Sequence, residues 1–200
     1  MHKELIEANV REGDTIMATI VHKPTTTTAV ATGTAPSTVT TAARYVFAAV
    51  RIALGTVFLW AFLDKLFGLG HETASKAAWI NGGHPTTGFL KFAAAGPFKG
   101  FYNSIAGSAW ADWLFMLALL GIGIALILGI GMRIAAVSAT VLLVMMFTAV
   151  LPPENHVFMD DHLIYAGTII GLTLIGAGTT LGLGQWWNRT ALVQKAPWLK

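Results

Sequence analysis

Three stretches of this chain, residues 113–132, 134–153 and 163–188, run without a single charged side chain. A hydrocarbon core about 30 Å thick takes on the order of 20 apolar residues in a helix to cross. Each stretch is long enough. Lipid also leaves few options, because a backbone group with no water to bond must find its partner inside a helix or a closed barrel. A further apolar segment, 45–67, is interrupted near its ends by Arg51, Asp64 and Lys65 and is free of charge only over 52–63. The expected fold is all-α: a four-helix transmembrane bundle with spans at 45–67, 110–130, 133–151 and 161–183. All seven prolines fall outside these spans or at their ends.

Composition agrees. Hydrophobic residues make up 54% of the 200 positions and charged ones 12%, against roughly a quarter charged in a soluble domain. The mean hydropathy is +0.63, and the natural partner of such a chain is the lipid bilayer. The basic residues behind the net charge of +3 are scattered, without the basic, aromatic-studded face that nucleic acid requires. With no cysteine, disulfides, thiol redox pairs, iron–sulfur clusters and thiolate zinc sites are excluded. Electrons passing through the protein would need a bound organic cofactor or substrate.

Residues 1–43 carry charges and a threonine run from Thr25 to Thr28. They read as a disordered cytoplasmic tail. They lack a cleavable secretory signal, so the first helix is expected to act as an uncleaved anchor. The membrane domain spans 44–187, and 188–200 reads as a second cytoplasmic tail. Lysine and arginine near the helix ends set orientation. With the N-terminus inside, the inner face collects Arg44, Arg51, Arg133, Arg189, Lys195 and Lys200. That arrangement predicts a multi-pass plasma-membrane protein with both termini in the cytoplasm.

The connection from 68 to 109 is too long for a plain turn. Its phenylalanines and Tyr102 predict short helices lying in the outer interface, where aromatic rings concentrate. Glycines recur in the second and fourth spans. Gly167 and Gly171 have the small-xxx-small spacing that lets helices approach closely, so they read as packing positions before ligand contacts.

Ionisable residues in or beside a span are costly and hence candidates for function. Arg44, Arg51 and Lys65 fall on one stripe of the first helix. Arg51 either snorkels to the inner headgroups or serves a ligand. The second cluster is Glu154, His156, Asp160, Asp161 and His162, with Tyr165 one turn below. Asp160 or Asp161 suits an N-cap. The spacing matches no established metal motif, so capping and solvation are preferred and no metal is expected. His162 and Tyr165 could instead hydrogen-bond a quinone headgroup and relay its protons. No histidine lies mid-span, so no haem is expected.

The runs RIALGTVFLWAFLDKLFGLG, WINGGHPTTGFL, AWADWLFMLALLGIGIALILGIGMRIAA and MDDHLIYAGTIIGLTLIGAG resemble the DoxX/DoxD family, particularly its actinobacterial members, over 44–187. Resemblance to DoxD implies the large membrane subunit of a thiosulfate:quinone oxidoreductase, which couples two thiosulfates into tetrathionate and passes two electrons to quinone. It also implies a small partner subunit. On that reading Lys65, Asp161 and His162 are the candidate catalytic residues. Tyr165, Arg51 and Trp60 would bind the quinone, while His84, Lys91 and Lys99 would attract the sulfur dianion. The competing reading is a non-catalytic membrane scaffold or accessory subunit of a redox or respiratory assembly, with a protein partner subunit or copies of itself. A transporter fits less well, since the spans offer few polar residues beyond threonine and serine.

Overall fold

The structure, a computed structural model, describes residues 38–153, 156 and 158–200. Most of the expected N-terminal tail, together with Glu154, lies outside the described residues. There is no strand among the described residues. Helix α1 (Thr38–Phe67) begins inside the stretch expected as tail. After it come a series of short turns, a π-helical turn at Gly88–Ala93 and helix α2 (Lys99–Ile105). Helices α3 (Ala109–Leu128), α4 (Met132–Ala149) and α5 (Asp161–Leu174) complete the bundle. Two short helices, α6 (Gly184–Asn188) and α7 (Ala191–Lys195), then turn back beneath it.

Three of these helices are long and apolar enough to cross a membrane: α1 over Thr41–Phe67, α3 and α4. The fourth expected span is shorter than its hydropathy suggested. Helix α5 has 14 residues, about 21 Å at 1.5 Å per residue, against a core of about 30 Å. The reason is local. Gly176 takes the left-handed conformation at φ 67°, and the Thr179 hydroxyl bonds the Gly176 carbonyl at 2.9 Å. The helix stops although the residues that follow remain apolar.

The helices pack as neighbours in chain order, α1 on α3, α3 on α4 and α4 on α5, with a lighter contact closing α5 on α1. Leu54 and Phe58 of α1, Met116, Ile122 and Leu126 of α3, Leu143 of α4 and Ile169 of α5 form the core between them. The outward faces are equally apolar, as Leu114 (62% exposed) and Val137 (66%) show. In water such surface would drive aggregation. With the three apolar helices it identifies a membrane protein in contact with lipid.

Close approach of α1 and α3 depends on glycine. A Cβ on Gly123 would stand 2.9 Å from the Leu59 nitrogen, and one on Gly55 2.9 Å from the Ile127 nitrogen. Because these obstacles are backbone, Gly123→Ala is expected to destabilise the bundle by about 1–3 kcal/mol. Gly121→Ala, which meets nothing, should stay within about 0.5 kcal/mol. Thermal unfolding in mild detergent compares the two. The pair expected to pack, Gly167 and Gly171, faces open space. Helix α5 instead meets the bundle through Ala166, Ile169 and Leu172.

Charge is divided between the two ends of the bundle. Every aspartate and glutamate among the described residues (Asp64, Glu72, Asp112, Asp160, Asp161) lies at the end where α1 finishes and α3 and α5 begin, the carboxylate end. The opposite, basic end carries Arg44, Arg51, Arg133, Arg189, Lys195 and Lys200.

Candidate functional site

The two most deeply buried charges among the described residues hold main chain in place. Arg51 is fully buried. Its Nη1 donates to the carbonyls of Leu126 and, at 3.0 Å, Ile127. Its Nη2 donates to those of Thr180 at 3.1 Å and Leu181 at 2.9 Å. Helix α3 ends here and its last carbonyls lack intrahelical partners; the guanidinium supplies donors and favourable charge at that negative end. It also ties the glycine-rich segment after α5 to the same point. Arg51 therefore does not snorkel; both its terminal nitrogens are turned onto main chain. Gly129 lets the chain turn there with φ 71°, and a Cβ on it would lie 2.5 Å from the Gly178 carbonyl oxygen. At the other end of α1, buried Asp64 accepts the amides of His71 at 3.2 Å and Glu72 at 3.1 Å.

Asp112 forms a different kind of site. It lies in the first turn of α3, where the helix dipole favours a negative charge, and is almost wholly buried. One oxygen accepts from the Thr86 amide at 3.0 Å and the Thr86 hydroxyl at 2.6 Å. The other pairs with His84 Nδ1 at 2.8 Å. A carboxylate can only accept, so Nδ1 carries the proton and Nε2 is left free. The histidine side chain is 57% exposed and the aspartate's 3%. The Thr86 hydroxyl in turn accepts the Gly107 amide at 3.0 Å, which fixes the loop bearing His84 to the start of α3.

Beside this network, between α3, α4 and the loop, lies an apolar cavity of about 300 Å³. Thr86 is at its polar edge, and Phe89, Trp110, Leu114, Val141 and Met145 are among its walls. Trp110, Leu114, Val141 and Met145 are also exposed on the outside of the bundle, so the cavity opens towards lipid. Phe89 belongs to the π-helical turn, a distortion frequent at functional sites. Its ring lies 6.2 Å from that of His162. His162 is held like His84, its Nδ1 2.6 Å from Asp160. Two carboxylate-tethered histidines thus reach residues of the cavity wall, His84 through Asp112 and Thr86 and His162 through Phe89, although neither lines the cavity itself.

The remaining candidates are more dispersed. Asp160, not Asp161, caps α5, accepting from the Leu163 amide at 3.2 Å, and Asp161 is exposed. Tyr165 is half-buried against the core. Trp60 is exposed with its ring edge towards His71 at 6.4 Å. Lys65 is half-buried, and among the described residues no hydrogen bond or ion pair joins it to His162 or to a carboxylate. Lys91 and Lys99 are exposed on the π-helical turn and at the start of α2. Asp112 and Thr86 escaped the reading of the sequence. The available signal was one carboxylate at the head of an otherwise uncharged helix. No three histidine or carboxylate side chains converge as metal donors among the described residues.

Comparison with known proteins agrees with this architecture. No curated protein and no solved structure matches the chain. The DoxX family model matches residues 46–152, which take in most of α1, the loop with His84 and Thr86, α3 and α4. The match stops short of α5, so Asp160 and His162 lie outside it. Covering more than half of a chain of three membrane-length apolar helices, it places this protein in the DoxX family of membrane proteins.

Proposed function

We propose that the protein binds a quinone in the cavity between α3 and α4 and works as the membrane subunit of an oxidoreductase drawing electrons from thiosulfate or a related sulfur anion. The supporting observation is the joining of a lipid-facing apolar cavity to a carboxylate-tethered histidine through Thr86. A quinone has an apolar tail, a flat ring and two oxygens that take protons on reduction. The cavity suits the ring and tail, and the free Nε2 of His84 suits proton transfer. In the reaction two thiosulfates each lose one electron and join through a new sulfur–sulfur bond, while the quinone takes up two electrons and two protons. Lys65, Lys91 and Lys99 supply positive charge at the carboxylate end for the dianions. In this reading α5 and the apolar segment after it complete a four-helix membrane domain, with the carboxylate end outside the plasma membrane and the basic end in the cytoplasm.

Trp110 provides the test, since a quinone in the cavity quenches its fluorescence. Purified protein titrated with decylubiquinone should show saturable quenching that Trp110→Phe greatly reduces. Added thiosulfate should then bleach the quinone absorbance, and Lys65→Ala should abolish this while leaving quenching and unfolding temperature unchanged. Quenching that does not saturate, or is the same without Trp110, sinks the proposal.

A second reading is favoured by Gly167 and Gly171, whose open face on α5 offers close approach to another helix. There the chain is an accessory subunit that docks a partner or a second copy. Cross-linking from Gly167→Cys into a neighbouring chain would support it.

A further inference from the structure

The basic end has a feature of its own, independent of the cavity at the carboxylate end. Between α4 and α5 runs an open groove of about 680 Å³, walled by Val137, Val141, Ile170 and Leu174, with Arg133 at its end. Thr140 and Thr173 also line it. Their hydroxyls are already bonded within the helices, to the carbonyls of Ala136 at 2.7 Å and Ile169 at 2.8 Å. The groove therefore presents an apolar channel with one cationic end. Leu174 is 81% exposed.

The returning C-terminal segment strengthens that charge. The Arg133 amide donates to the Lys200 carbonyl at 2.8 Å and its guanidinium to the Pro197 carbonyl at 3.0 Å. The Trp187 indole donates to the Leu199 carbonyl at 2.7 Å, and Val193 on the same segment is fully buried. Lys200 is thereby held at the start of α4 beside Arg133. Arg189 and Lys195 are exposed on the same segment, and no aspartate or glutamate among the described residues lies at this end.

We propose that this groove is a binding site for an anionic phospholipid, with its phosphate on Arg133 and one acyl chain lying between α4 and α5. Charge complementarity selects the headgroup. Four or more basic side chains with no acidic side chain beside them favour a lipid of net negative charge over a zwitterionic one with identical chains. The single charge at the end of an apolar channel matches a molecule with its phosphate at one end.

Native mass spectrometry of the full chain in mild detergent tests this by titrating dioleoyl phosphatidylglycerol against dioleoyl phosphatidylcholine. Phosphatidylglycerol should be retained at about tenfold lower concentration. Arg133→Gln should remove that preference and Arg133→Lys should largely keep it. Leu174→Trp fills the groove from an exposed position without touching the core, and should weaken retention of phosphatidylglycerol severalfold. Equal retention of the two lipids by the unaltered protein overturns the proposal, as does an unchanged preference in Arg133→Gln or an unchanged retention of phosphatidylglycerol in Leu174→Trp.

Discussion

Arg51→Met is expected to lower the stability of the bundle by about 3–5 kcal/mol, the range for a buried polar network that loses its central partner. Methionine approximates the length of the side chain but has no donor, so the carbonyls of Leu126, Ile127, Thr180 and Leu181 would be left without it, that of Leu126 in the buried interior and the other three partly buried. A buried acceptor stripped of its partner costs about 1–3 kcal/mol, and relaxation of the 177–184 segment recovers part of the sum. Arg51→Lys should restore only a fraction. An ammonium is a point donor and cannot fork between two pairs of carbonyls as the planar guanidinium does. Arg44→Ala provides the contrast, because Arg44 is exposed and its single bond, to the Thr180 hydroxyl, is 3.4 Å long. It should cost less than about 0.5 kcal/mol. Unfolding in mild detergent, followed by tryptophan fluorescence, measures all three. An unchanged midpoint for Arg51→Met would refute the structural role given to the guanidinium.

Asp112→Asn is expected to have the largest effect on function, reducing quinone reduction by about 10²-fold or more. Asparagine keeps the shape and one acceptor oxygen but replaces the other oxygen with an NH₂. The NH₂ only donates, so the single oxygen can accept from the Thr86 pair of donors or from His84 Nδ1 but not from both. If the carbonyl stays with Thr86, the amide faces His84, which must adopt the other tautomer and place its proton on Nε2. The histidine then no longer offers an acceptor outward. Quinone binding, followed by Trp110 quenching, should weaken far less than turnover, because the cavity walls are untouched. Equal losses in both would show that Asp112 acts only by shaping the loop. An unaltered rate would remove the dyad from the mechanism.

The three long helices were legible because the uncharged runs 113–132 and 134–153 and the apolar stretch before Phe67 state their lengths directly in lipid-sized units. The end of α5 was not. Hydropathy scores the residues after Leu174 as favourably as those before, whereas the break depends on Gly176 in a left-handed conformation. Arg51 could be flagged as costly, but its partners are main-chain carbonyls, which have no letter in the sequence. The Asp112 network joins positions 26 and 28 residues apart through a loop whose path no local pattern reveals. His84 was therefore visible as a candidate while the group that orients it was not. The C-terminal segment was read as a tail because its anchor is a pair of carbonyls on Arg133 and not an apolar stripe.

The wiring of Arg51 also orders events during synthesis. Its partners on α3 lie 75 and 76 residues downstream and those on the last segment 129 and 130. When α1 leaves the ribosome, none of them exists. The nascent chain must carry a bare guanidinium, shielded by the insertion machinery or by lipid phosphate, until α3 arrives with the first carbonyls. The second pair closes around it only as the final residues emerge. Premature stops before Leu181 would leave that charge half-coordinated inside the bilayer, a fault that membrane quality-control proteases can recognise.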